Sequence, residues 1–250
     1  MVNGIEEFKE YFKEYQDCYT VIGGAACDIL MNKAQIDFRA TKDIDMIILF
    51  EGRYQEFVKT FWEYIKEAGY RCGWKNSEQS HFYRFTDPKP GYPIMIELFS
   101  RGQGYHFEMD GGIIPVHIDD TISSLSAILL NDDFYNFMLQ GRISIDGLSV
   151  LSAEYLIPFK MYAWLDLTRR KENGEKVRGS DLKKHKYDVF RLLQIVSIEN
   201  SIYTEGLVHS SIVSFIQAME HEDLPLQQIG LNLQKKEGLE LLEILYEIKR

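Results

Sequence analysis

The stretch from Tyr19 to Phe50, YTVIGGAACDILMNKAQIDFRATKDIDMIILF, restricts what this chain can fold into more than any other. A short apolar run ends in Gly23-Gly24 and a helix-forming segment follows. A polar loop, Arg39-Ala40-Thr41-Lys42, then leads into Asp43-Ile44-Asp45 and the apolar run from Met46 to Phe50. That order predicts a strand, a glycine turn, a helix over Ala25 to Lys33, a loop, and a second, buried strand beginning at Asp43. In a strand, residues i and i+2 share a face, so Asp43 and Asp45 project together while Ile44 turns to the core.

Two neighbouring carboxylates repel each other and call for a cation. Mg²⁺ prefers oxygen ligands and leaves positions open for substrate phosphates. Glycine lacks a Cβ and lets backbone approach a ligand closely. The start of a helix aims free N–H groups and a positive dipole end at an anion. Gly23 and Gly24 thus read as a phosphate cradle facing a metal site made by Asp43 and Asp45, an arrangement suited to chemistry on a nucleoside triphosphate. Taken singly, an Asp-x-Asp is most often a solvated loop and a Gly-Gly a turn; their order, each at a strand end, carries the information. Arg39 and Thr41 lie just upstream of the carboxylates, where Arg39 meets a phosphate or pairs with Asp37 or Asp43.

With these residues in place, the stretch resembles the nucleotidyltransferase superfamily related to DNA polymerase beta. The signature of that superfamily is a Gly-Gly or Gly-Ser turn, a helix, then Asp-x-Asp on the next strand. Gly23 to Leu30 also resembles the opening of tRNA CCA-adding enzymes, with Cys27 where they usually carry Arg. Between Gly24 and Asp43 lie 18 residues, more than in most relatives, and the extra length is assigned to the loop around Ala34 to Phe38. The resemblance implies a third acidic residue on a strand beside the Asp-x-Asp strand. Glu97, the one charge in Tyr92 to Ser100 (YPIMIELFS), matches by position and context, although most relatives use Asp. Its implied role is to bind metal and to accept the proton of the attacking hydroxyl. A carboxylate in an apolar strand needs a partner in any case, and a salt bridge to Arg84 is the alternative.

At 250 residues, with 45% hydrophobic and 13% aromatic content, the chain can bury the core of one large domain or two small ones. No run approaches the roughly 18 apolar residues of a membrane span, so no membrane partner is expected. The acidic, amphipathic opening MVNGIEEFKEYFKEY does not read as a signal peptide. Cys18, Cys27 and Cys72 are odd in number and lack metal-ligand spacing, which predicts reduced thiols and a cytoplasmic location. A net charge of −10 argues against a chain built throughout for nucleic acid. Arg169 to Lys186, however, holds eight Lys/Arg against three Asp/Glu, a local +5 that reads as a basic face or as a solvated loop.

Hydrophobic spacing predicts a helix over Ile5 to Gln16 and another over Tyr54 to Ala68, stopped by Gly69. Short strands are expected over Tyr70 to Trp74 and His81 to Thr86, a turn over Asp87 to Gly91, and a loop and one strand over Arg101 to Ile118. His106 and His117 are not at metal-ligand spacing. A helix over Thr121 to Leu139 precedes a hairpin over Arg142 to Leu151, turning at Asp146-Gly147. From Ser152 the pattern is helical: Glu154 to Lys171, Asp181 to Ser197 with Ser180 as N-cap, and two or three helices up to Arg250. The expected fold is α/β (α+β): a nucleotidyltransferase domain with a mixed sheet over 1–151, a mostly helical domain over 152–250, and an active site in the cleft between.

The second half sharpens the resemblance. Val150-Leu151-Ser152, Lys160 within a helix, the basic 169–179 loop and His185-Lys186-Tyr187-Asp188 together resemble the abortive-infection type IV toxin nucleotidyltransferases (AbiEii/AbiGii-like). The likeness covers Tyr19 to Val196. It implies that Lys160 contacts the triphosphate and that Asp188 orients a basic or substrate group; Tyr187 interrupts the Lys-Asp pair often present there. The expected function is transfer of a nucleoside monophosphate from a nucleoside triphosphate to an acceptor hydroxyl, with two Mg²⁺ ions and release of pyrophosphate. Asp43, Asp45 and Glu97 would hold metal, and Gly23, Gly24, Arg39, Thr41, Lys160 and Asp188 the nucleotide. A tRNA or another macromolecule is the expected acceptor, met by Lys183, Lys184 and Lys186, with a cognate antitoxin as partner. The rival readings are an antibiotic-type small-molecule nucleotidyltransferase and a non-catalytic nucleotide-sensing module.

Overall fold

The computed structural model describes residues 2–49, 52–72, 84–99, 107–109, 112–114 and 131–248. The chain divides into two units. The first comprises the described residues of Met1–Ile122 together with Arg142–Leu151; the second comprises those of Ser123–Gly141 and Ser152–Arg250. One break between the units falls after Leu151. The segment before Arg142, expected in the first domain, groups with the second.

The first unit is built on a mixed seven-stranded sheet with strand order β3-β4-β5-β2-β1-β9-β8 among the described residues. The strands are β1 (Tyr19–Ile22), β2 (Asp43–Ile48), β3 (Arg71–Cys72), β4 (Arg84–Thr86), β5 (Met95–Phe99), β8 (Arg142–Ile145) and β9 (Leu148–Leu151); β6 (Phe107–Met109) and β7 (Gly112–Ile114) form a separate antiparallel pair. β1 runs antiparallel to β2 and parallel to β9, and β2 runs parallel to β5. All four residues of β1 are buried, as a central strand requires. In β2 burial alternates at the start, with Ile44 and Met46 buried and Asp43 and Asp45 half-buried. The two aspartates therefore share a face, as the i, i+2 spacing predicts.

Helices α1 (Ile5–Phe12) and α3 (Tyr54–Ala68) supply an aromatic layer. Phe8, Phe12, Tyr19, Phe57, Phe61 and Tyr64 contact one another in tilted, edge-to-face and, for Tyr19 with Phe57, stacked pairs, with centroids 4.6–6.3 Å apart. The apolar stripe of α3 faces this layer, and Gly69, at φ 70°, ends the helix as a left-handed cap. Helix α2 (Gly23–Lys33) begins at the first glycine of the turn, two residues earlier than the sequence pattern suggests. The β8–β9 hairpin turns at Asp146 and Gly147, both at positive φ, as a tight Asp-Gly turn demands. The expected features between Gly73 and Tyr83, around His106 and His117, and over Thr121 to Leu130 lie outside the described residues.

The second unit is helical. It contains α4 (Asp132–Gln140), α5 (Ala153–Glu172), α6 (Gly179–Leu192), α7 (Gly206–His221) and α8 (Lys235–Leu245). Helix α5 is buried on nearly all sides from Leu156 to Trp164, so it has no clean amphipathic stripe. Phe134 on α4 packs edge-on against Phe159 and Tyr162 of α5. Asp133 Oδ2 accepts the backbone N–H of Leu207 at 2.7 Å, capping the start of α7 from another helix. Helix α6 starts at Gly179 with Arg178 at its N-cap position, so Ser180 lies inside the first turn and does not cap it.

Candidate active site

The turn between β1 and α2 sits directly on the aspartate strand. Ile22 is paired with Asp45 across β1 and β2. Gly23 has φ +69°, and a Cβ built on it would lie 2.0 Å from Asp45 Oδ2. A Cβ on Gly24 would lie 2.7 Å from Thr41 Oγ1 and 3.6 Å from an Arg39 Nη2. Neither position can carry a side chain while these neighbours stay where they are. Five residues singled out from the sequence, Gly23, Gly24, Arg39, Thr41 and Asp45, thus meet in one place in the first unit. Asp43 adds its carboxylate two residues along the same strand face.

The local chemistry of α2 suits an anion at its start. Its first turn carries no acidic residue, and its N-cap residue, Ile22, makes no side-chain cap. Cys27 Sγ donates to the Gly23 carbonyl at 3.2 Å, one turn back. Asp28, buried at 2% exposure, accepts from Asn32 Nδ2 at 2.8 Å. The Arg39 guanidinium lies over the Phe38 ring, 4.9 Å from its centroid. The Lys42 carbonyl accepts the N–H of Ile94 at 3.1 Å, extending the ladder between β2 and β5 just ahead of the carboxylates.

Glu97 lies one strand over. Parallel pairing of β2 and β5 puts Asp45 opposite Glu97, so both side chains leave the same face of the sheet. The antiparallel pairing of β4 with β5 puts Arg84 opposite Glu97 from the other side. Arg84 Nε and Nη2 both contact Glu97 Oε1, with the side chains 30% and 17% exposed. The salt bridge weighed as the alternative for Glu97 is therefore present. Among the described residues no three His, Cys, Asp or Glu side chains converge as a ready metal site. The oxygen donors of Asp43 and Asp45 suit Mg²⁺, and the carboxylate that would complete the set is held by Arg84.

The remaining sequence candidates lie in the second unit. Lys160 Nζ donates to Asp188 Oδ2 at 3.3 Å, with the two side chains 3% and 0% exposed, and Arg191 donates to Asp188 Oδ1 at 3.2 Å. Lys186 donates to Glu222 at 2.7 Å and to the Asp223 carbonyl at 3.3 Å, and is buried. Lys183 is exposed and Lys184 half-buried. Sequence reasoning paired Arg84 with Glu97 only as an alternative and missed Arg142, which donates to Thr20 Oγ1 at 2.8 Å beside the buried Thr20–Ser149 contact. No helix of the described residues is long and apolar enough to cross a membrane.

No family model matches the chain, and no curated protein matches it. Among solved structures, the antibiotic-resistance factor ANT(2″)-Ia is similar over 87% of this chain and 94% of its own, at 11% identity and a TM-score of 0.39. The Megavirus polyadenylate synthase is similar over 98% of this chain and 48% of its own, also at 11% identity and a TM-score of 0.39.

Proposed function

We propose that this protein is a divalent-metal-dependent nucleotidyltransferase that moves a nucleoside monophosphate from a nucleoside triphosphate to an acceptor hydroxyl, releasing pyrophosphate. One observation carries the reading: the glycine start of α2 presses on Asp45 and Thr41 with no room for a β-carbon. That contact supports a backbone anion cradle beside a carboxylate pair, the arrangement that positioning a triphosphate against a cation requires.

In this reading the free N–H groups at the start of α2 hold the terminal phosphates. Arg39 and Thr41 close the loop side of the cradle. Asp43 and Asp45 hold Mg²⁺, which would neutralise phosphate charge and activate the acceptor hydroxyl when bound. Glu97, on the neighbouring strand, serves as the third carboxylate and as acceptor of the hydroxyl proton. No covalent intermediate is needed, because catalysis is positioning and charge neutralisation. Lys160 and Asp188 neutralise each other inside the helical unit, which supports a structural pairing ahead of direct triphosphate contact.

The finer reading, a toxin-like enzyme of the AbiEii kind with tRNA or another macromolecule as acceptor and a cognate antitoxin, draws on the basic stretch that holds exposed Lys183 and half-buried Lys184. The small-molecule acceptor is favoured by the net charge of −10 and by the commitment of Lys186 to Glu222. The deciding experiment is transfer from α-³²P nucleoside triphosphates with Mg²⁺ into a bacterial lysate separated into tRNA, protein and small-molecule fractions, with Asp43→Ala as control. Label in one fraction that vanishes in the variant names the acceptor class. Label that survives in the variant removes the role given to Asp43.

A further inference from the structure

Three side chains stand in one row across the sheet: Arg84 on β4, Glu97 on β5 and Asp45 on β2. In-register residues of neighbouring strands leave the same face, and strands lie about 4.8 Å apart. Glu97 therefore stands between a cation on one side and the aspartate face on the other. One oxygen of its carboxylate, Oε1, is contacted by Arg84 through both Nε and Nη2. The neighbouring Asp43 and Asp45 are not joined by a third acid among the described residues.

We infer that Arg84 is a positioning residue that competes for Glu97 with the divalent cation of Asp43 and Asp45, and so sets how tightly that cation is held. The inference rests on the metal-site reading above. Side-chain length makes it specific to this chain. Glutamate has one more rotatable methylene than aspartate, so the same residue can reach either neighbour from a fixed backbone position; an aspartate at 97 would reach less far toward either. The pair is partly exposed, at 30% and 17%, so water screens it and a doubly charged ion can outbid it. Cation binding draws Glu97 toward Asp45 and releases the guanidinium on the face where a triphosphate would lie.

The test is Mn²⁺ binding to the full chain, read as the loss of the free-ion EPR signal, with no nucleotide and no turnover. Six proteins are compared: the unaltered chain, Arg84→Gln, Arg84→Lys, Glu97→Gln, the double variant Arg84→Gln with Glu97→Gln, and Asp45→Asn. Arg84→Gln should bind Mn²⁺ about fivefold more tightly, a gain typical of removing a partly screened ion pair. In the Glu97→Gln background the same change should gain less than about twofold, since long-range charge alone then remains. Arg84→Lys, which keeps the charge but loses the two-pronged grip, should fall between and guards against misfolding of the glutamine variant. Unchanged or weaker binding in Arg84→Gln, or an equal gain with and without Glu97, overturns the competition while leaving the metal site standing. Undiminished Mn²⁺ binding in Asp45→Asn overturns the metal site itself, and the competition with it.

Discussion

A β-carbon on Gly23 would lie 2.0 Å from the Oδ2 of Asp45. The first glycine of the turn and the second aspartate of the strand are in contact through space, although a helix and a loop separate them in sequence. Gly23 is also at φ +69°, a left-handed backbone that costs an L-residue about 1–2 kcal/mol. Gly23→Ala should therefore lose both stability and triphosphate binding. Gly174→Ala is the control, because Gly174 is at φ +86° with nothing within 4 Å of an added Cβ. It should show a similar backbone cost in urea denaturation and unchanged nucleotide binding.

Asp45→Asn keeps the shape of the side chain and removes its charge. Transfer should fall by at least about 10²-fold, the scale for losing a group that stabilises transition-state charge. Thermal stability should hold or rise, because crowded carboxylates repel. Near-normal transfer in steady-state assays would remove Asp45 from the chemistry.

The Lys160–Asp188 pair should behave as a buried ion pair. Asp188→Asn takes the carboxylate from the buried Lys160 charge and should cost about 3–5 kcal/mol in equilibrium unfolding, whereas Lys160→Met should cost less because Asp188 keeps Arg191. Replacing both with apolar residues of similar volume should recover much of that loss. A single variant that is stable but loses triphosphate affinity would instead favour ligand contact.

Alkaline pH should unfold this protein through its buried acids. Burial, with a further push from the charge of Asp17, raises the Cys18 thiol to about 11. Burial likewise raises the Tyr19, Tyr64 and Tyr70 phenols above their usual range. These groups stay protonated in the folded chain after they begin to ionise in the unfolded one. Their contribution to stability is full below the unfolded values, near 9 for the thiol and 10 for the phenols, and is lost as pH rises through the folded values. Tyrosinate absorbance should thus appear for these residues together with loss of near-UV circular dichroism. Cys18 and Cys27 should resist alkylation at pH 8 until denaturant is added.

The reasons some of this was legible in sequence are local. Asp43 and Asp45 share a face because of strand periodicity, and Gly69 and Asp146-Gly147 end or reverse elements by their own backbone preferences. Arg84 could be named beside Glu97, but their pairing depends on strand register, which residues far apart in sequence decide together. The capping of α7 by Asp133 is another tertiary choice, made between residues 74 apart in sequence. The triphosphate role of Lys160 rests on the family resemblance alone, which carries no information on its packing. Its burial follows from α5 being enclosed on all sides, which amphipathic spacing could not reveal.

The parallel pairing of β1 with β9 also imposes a schedule on synthesis. Thr20 meets Ser149 across this ladder, 129 residues later. At translation rates of about 5–20 residues per second, roughly six to twenty-five seconds separate the two strands leaving the ribosome. During that interval one edge of the strand carrying the glycine turn has no native neighbour. The sheet that carries the glycine turn therefore cannot close until the chain has grown past Leu151, and a pause in elongation ahead of the β8–β9 hairpin would prolong that exposure.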